Sequence, residues 1–145
     1  MANPKAVLQQ MKNVPKTETK VAVEPSCCIN EMIQRVFATR NLVHFAHWAT
    51  NSFAAHEALG GLYNEIVAQV DEIVEVYQGK FGLLSGLSTI SASQPSDILA
   101  HIKAEQEWVC DNKEAIACDN DAIENLIDEL DAAYLKVIYK LENLK

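Results

Sequence analysis

No run of apolar residues in this 145-residue chain approaches the ~20 needed to span a bilayer. The opening residues Met1, Ala2, Asn3, Pro4 and Lys5 lack the hydrophobic stretch of a signal peptide, so a cytoplasmic location with no membrane partner is expected. Cysteine is scarce and badly spaced for crosslinking or for a zinc finger. Cys27 and Cys28 are neighbours that pair poorly with each other, Cys110 and Cys118 fall in a helical stretch, and reduced thiols are the expectation. Basic residues are also in short supply, 12 Lys and Arg against 20 Asp and Glu, for a net charge of -8.

What basic charge there is gathers at the start. Residues 1–28 carry Lys5, Lys12, Lys16 and Lys20 against Glu18 and Glu24, a net +2 that leaves -10 for residues 29–145. Pro4, Pro15 and Pro25 interrupt this segment, no periodicity runs through it, and it reads as an extended arm. Residues 29–145 form a single domain; with 49% apolar residues the chain can bury a substantial core.

Four helical stretches follow the arm. Ile29, Met32, Ile33, Val36, Phe37, Val43 and Phe45 form the first stripe, with His44 and His47 near its end. The second, from about Ser52 to Gln78, buries Leu59, Leu62, Tyr63, Ile66, Val70, Ile73 and Tyr77, with Gly79 as its stop. Residues 79–95 contain three glycines, five serines or threonines and Pro95, and predict a long crossover with a short helical turn near Phe81 to Leu87. Ser96 is a candidate cap for the third helix, which carries Ile98, Leu99, Ile102, Val109 and Ile116. Asp121 and Glu124 have the spacing of a capping box for the fourth, with Ile123, Ile127, Leu130, Tyr134, Val137, Leu141 and Leu144 as its stripe. Short, long and short connections predict an all-α, ferritin-like four-helix bundle made of two hairpins joined by a B–C crossover.

Chemistry concentrates at the turn of the chain's first hairpin. His47 and His56 are separated by too few residues for more than a turn, so both imidazoles should lie at one end of two antiparallel helices. Asp71 and Glu75 are one helical turn apart, yet lie roughly 22 Å along the helix from His56. Only a second chain related by a two-fold axis brings carboxylates and imidazoles together. His47-Trp48, His56-Glu57, Leu62-Tyr63, Asp71-Glu72-Ile73 and Glu75 resemble the ferroxidase segment of the Dps-like mini-ferritins, including phage-encoded ferritin-like proteins, and the resemblance extends over about residues 29 to 144.

The resemblance implies an iron site shared between subunits, with His47, His56, Asp71 and Glu75 as ligands and His44 and Glu57 as additional candidates. It implies Fe(II) oxidation by peroxide or dioxygen, storage of ferric mineral, and a homodimer at minimum, with a twelve-subunit shell as the family's assembly. Gly60 stands where the family places a further acid. Two imidazoles and two carboxylates suit iron, zinc or manganese alike, and spacing does not choose among them. Lysine-bearing arms reach DNA in some mini-ferritins; here four spread lysines without arginine or aromatic residues make DNA a weak partner. If the chain is phage-encoded, its place is the host cytoplasm or the virion.

The remaining polar residues read as structural. The fourth helix brings no histidine, which argues against an intrasubunit di-iron centre; Glu105, Glu107 and His101 are expected on a solvated face, and His44 as a packed histidine. His56, at a helix end, is expected to stand clear of the packing. The competing function is a structural or assembly protein of a particle, with a vestigial metal site.

Overall fold

A computed structural model describes residues 25–145, with side chains from Cys28 onward. The expected arm therefore lies outside the described residues except for residues 25–28, which form the first turn of α1 (Pro25–Ala49). Proline suits that first position because its missing N–H would have no helical partner there. The other helices are α2 (Phe53–Phe81), α3 (Ile98–Ala117) and α4 (Asp121–Asn143), and the described residues contain no strand. None of the described helices is long and apolar enough to cross a membrane.

Side-chain bonds between helices give their directions. His47 meets His56, Arg35 and Thr39 meet Glu105 and His101, and Gln69 meets the Glu129 carbonyl, so α1 runs antiparallel to α2 and α3, and α2 antiparallel to α4. Each helix has two helical neighbours, in the order α1, α2, α4, α3 around the bundle. This is the ferritin-like connectivity, and it requires residues 82–97 to travel back along the bundle. They do so beside α1: Asn30 Nδ2 donates to the Ser85 carbonyl at 3.0 Å, Gln34 Nε2 to Ser88 Oγ at 2.6 Å, and Gln94 Nε2 to the Leu42 carbonyl at 3.2 Å. As crossover numbers rise so do those of α1, so the segment lies parallel to that helix. It has no helical turn at Phe81 to Leu87, because Gly82 and Gly86 adopt positive φ and the backbone is extended around them.

The interior is the sum of four stripes. Ile29, Met32, Val36, Leu59, Leu62, Ile66, Ile73, Ile102, Ile116, Ile123, Ile127, Leu130 and Tyr134 are fully enclosed or nearly so, each aliphatic worth about 1.5–3 kcal/mol of burial. Phe37 and Phe45, assigned to the first stripe by spacing, are exposed instead, and Leu42 is buried in their place. With α2, α3 and the crossover all flanking α1, its apolar residues spread round the helix, and simple periodicity loses the inward direction. Leu144 is likewise exposed beyond the end of α4.

Helix ends also differ from the expected signals. α2 runs through Gly79 and stops at Gly82, whose φ of 91° is the conformation a glycine accepts without strain. Asp97, not Ser96, caps α3 by accepting from the Ala100 N–H. Asn120 caps α4 through the Ile123 N–H, so Asp121 and Glu124 sit inside the first turn, where their charge favours the helix N-terminus.

Candidate metal centre

The α1–α2 turn owes its shape to short polar links. Ser52 caps α2 by accepting from the Ala55 N–H at 3.2 Å, and Thr50 Oγ1 accepts from the Ser52 N–H at 3.1 Å. This compact reversal places His47, in the last turn of α1, opposite His56, in the first turn of α2. Their rings stack with centroids 3.7 Å apart and planes inclined by 25°. His47 Nδ1 lies 2.7 Å from the His56 carbonyl oxygen, and His56 Nδ1 lies 3.0 Å from the His47 carbonyl oxygen. A carbonyl can only accept, so both Nδ1 atoms carry the proton. In the neutral rings the lone pair is then on Nε2 in each case, the state a metal ligand requires. The bond to His47 also satisfies one of the last four carbonyls of α1, which have no helical partner.

His56 is therefore part of the packing, contrary to its expected freedom at a helix end. Gly60 belongs to the same arrangement. A Cβ at this position would stand 3.1 Å from His47 Cε1 and 3.2 Å from Nδ1, so the bare backbone of α2 leaves the room in which the His47 ring lies. Any side chain at this position would require the His47 ring to give way by a few tenths of an ångström.

Aromatic groups close the inner side of the pair. Tyr63 meets the His47 ring edge-on at 5.4 Å and stacks on His44 at 3.9 Å, while His44 also touches Trp48 at 4.2 Å and the Arg40 guanidinium lies 5.6 Å from the Tyr63 ring. His44 is packed as expected. Desolvation, followed by the positive charge of Arg40 and the proximity of His47, lowers its pKa and favours the neutral ring. Phe45 and Trp48, with ring centroids 6.0 Å apart, form an exposed apolar edge on α1, Trp48 being 65% accessible.

Glu57, Asp71 and Glu75 are all exposed. Asp71 and Glu75 project from α2 one turn apart, far along the helix from His56, and one chain does not bring them to the imidazoles. Among the described residues there is no group of three or more His, Cys, Asp or Glu side chains suited to a metal ion. Within one protomer the two imidazoles stand together without a third such side chain beside them, among the described residues.

A second polar group went unrecognised in the sequence. Glu105 is buried rather than solvated, and Arg35 Nη1 donates to both its oxygens, at 2.9 and 3.1 Å. Arg35 Nε also reaches Glu31 Oε1 at 3.1 Å, and the guanidinium lies 4.5 Å over the Trp108 ring. His101 is half-buried, not a surface residue, with Nε2 3.0 Å from Thr39 Oγ1. Thr39 also hydrogen-bonds the fully buried Tyr134, whose hydroxyl is pushed up in pKa first by desolvation and then by the Glu105 charge. The available signal was register: Glu105 stands three and four residues from Ile102 and Val109, on the apolar stripe of α3. Glu107 is exposed, as expected.

The model of a family described only as of unknown function, DUF5856, matches residues 47–141, from His47 through nearly all of α4. No curated protein and no solved structure matches the chain.

Proposed function

The chain belongs to the DUF5856 family, and we propose that it works as a mini-ferritin-like protein that binds and oxidises Fe(II) at a site shared between two copies and stores the product in an oligomer. The observation that carries this reading is the mutual lock of His47 and His56. Two rings whose Nδ1 protons are held by backbone carbonyls present their Nε2 lone pairs without a further change of tautomer, the outer-partner arrangement that orients metal-ligating imidazoles. Asp71 and Glu75 of a second copy, running the opposite way, supply the hard oxygen donors that favour Fe(III) over Fe(II). The exposed pair of Phe45 and Trp48 supports a protein contact beside the imidazoles, since large exposed apolar side chains gathered in one place mark such contacts.

Iron is cargo in this scheme. Each Fe(II) gives up one electron, and two electrons with two protons reduce one peroxide to two waters. The side chains hold the ion while the electron leaves; zinc or manganese would occupy the same ligands without being stored. The same exposed Phe45–Trp48 pair also favours the second reading, a structural or assembly component whose metal site is vestigial.

Native mass, iron content and Fe(II) oxidation should be measured on the wild type and on Asp71→Asn/Glu75→Gln. Both side chains are exposed, so the double variant should keep its helicity and native mass. Its Fe(II) oxidation should fall at least about tenfold, the scale on which even the outer partners of metal ligands act. An oligomer that neither binds nor oxidises iron would establish the structural reading, and a stable monomer would remove the shared site. His56→Ala is a poorer probe, because it also strips the His47 carbonyl of its hydrogen bond.

A further inference from the structure

The crossover is extended backbone without a β partner. Among the described residues no backbone N–H from Ser85 to Gln94 takes part in a backbone–backbone hydrogen bond, and of the carbonyls in that stretch only Ser85's accepts, from Asn30 Nδ2. Its apolar side chains are equally unspent: Leu83 is 89% exposed, Leu87 55% and Ile90 46%. Between this segment and α1 lies a groove of about 360 Å³, lined among others by Ile33, Phe37, Leu87 and Ile90. Open strand edges in proteins are kept short, charged or covered, because free N–H and C=O groups flanked by apolar side chains pair with whatever strand arrives. This one has no charged residue from Gly82 to Ser96, which leaves covering as its protection.

The chain carries a segment of the right kind at the right end. Thr17, Thr19, Val21 and Val23 alternate with Glu18, Lys20, Ala22 and Glu24, a pattern that gives extended backbone one β-branched face and one polar face. Pro25 begins α1, and the residue before a proline favours extended geometry. Turned back at Pro25 and rising ~3.3 Å per residue, residues 17–23 run level with α1 from about Ile29 to about Leu42, which rises ~1.5 Å per residue. Those are the levels at which Asn30 meets Ser85 and Leu42 meets Gln94. Since the crossover is parallel to α1, a segment returning from Pro25 is antiparallel to the crossover, the direction in which ladder hydrogen bonds run straight across. Charge agrees, with +2 on residues 1–28 against -10 on residues 29–145.

We propose that residues 17–23 add to the crossover of their own chain as an antiparallel strand, pairing their backbone with residues 85–91 and closing Thr19 and Val21 over the groove at Ile33 and Phe37. This is strand addition to an open edge: the backbone supplies the affinity, and the alternating face fixes the register by sending its β-branched residues inward. Glu18, Lys20 and Ala22 then face solvent. The segment becomes part of the bundle's wall, and the pairing does not depend on the metal reading.

Amide hydrogen exchange on the full chain, wild type against Val21→Asp/Val23→Asp, reads the pairing. Neither residue belongs to α1–α4, so the variant should keep its helicity. Exchange at residues 85–91 should be at least about tenfold slower in the wild type, the protection given by pairing that opens only locally. Equal exchange in the two chains overturns the proposal. Ownership of the strand is read from a chain with photoreactive benzoylphenylalanine in place of Val21, irradiated as a mixture of unlabelled and isotope-labelled protein. Crosslinks from position 21 to the crossover that carry a single label throughout support own-chain pairing. Mixed-label crosslinks place the strand on a second copy, and crosslinks that miss the crossover place it elsewhere; either result overturns the proposal. If the double variant does not fold, the crosslinks alone decide.

Discussion

Two histidine-containing regions of the bundle differ in where their hydrogen bonds end. In the middle, Arg35, Glu105, Thr39, His101 and Tyr134 close on one another. His101 Nε2 lies 3.0 Å from Thr39 Oγ1, so the nitrogen facing the helix interface is consumed by that bond. At the α1–α2 turn the reverse holds: each Nδ1 is spent on backbone and each Nε2 is left over. The same side chain is structural where its network closes and a candidate ligand where a lone pair remains beside exposed aromatic residues.

The most severe way to break this contrast is Arg35→Met. It leaves the Glu105 carboxylate buried and unpaired, and should cost about 2–3 kcal/mol by denaturant unfolding, reduced from the full penalty for a buried pair because Arg35 is partly accessible. Arg35→Met with Glu105→Met should recover most of that loss, since a well-packed apolar pair can replace a buried ion pair. A single variant as stable as wild type would mean that the central network contributes little.

A finer comparison uses two adjacent glycines. Gly61→Ala meets nothing within 4 Å and should gain up to about 1 kcal/mol from helix propensity. Gly60→Ala has the same propensity advantage but presses on an imidazole pinned by a 2.7 Å hydrogen bond. It should fall at least about 1 kcal/mol below Gly61→Ala, the order of an off-rotamer displacement, in paired thermal unfolding runs. Equal stabilities would show that the histidine pair gives way freely.

The smallest expected effect is a pH dependence from His101. Desolvation, followed by the Arg35 charge, lowers its pKa below the ordinary 6.5, and Glu105 only partly opposes them. The unfolded chain therefore takes up this proton at higher pH than the folded one. His101's contribution should be fully present above 6.5 and decline as pH falls below it. Unfolding curves on either side of that value, compared with His101→Gln, should show a shallower decline in the variant. An identical slope would place the titration elsewhere.

Sequence periodicity was sufficient for the four helices, their two hairpins and the length of the crossover, because apolar stripes and glycine clusters are local. It was insufficient for direction within α1, where three surrounding segments spread the apolar residues and sent Phe37 and Phe45 outward. The caps at Asp97 and Asn120 depended on backbone dihedrals that several nearby polar residues could have supplied. Glu105 was misjudged because its partner lies seventy residues away on α1. The proximity of His47 and His56 was legible from the short turn, but the reason for Gly60 was not, since an absent Cβ acquires meaning only once the His47 ring lies across it.

The crossover has a further consequence for the molecule's response to its surroundings. Its side-chain ties come from Asn30, Gln34, Gln78 and Gln94, all carboxamides, with Gln78 Oε1 accepting the Leu84 N–H at 3.0 Å. Carboxamides neither titrate nor attract counterions. Salt that screens the exposed Lys113–Asp128 and Lys136–Glu65 pairs leaves these ties almost untouched. The longest connection of the fold is thus fastened by the groups least sensitive to acidity and ionic strength.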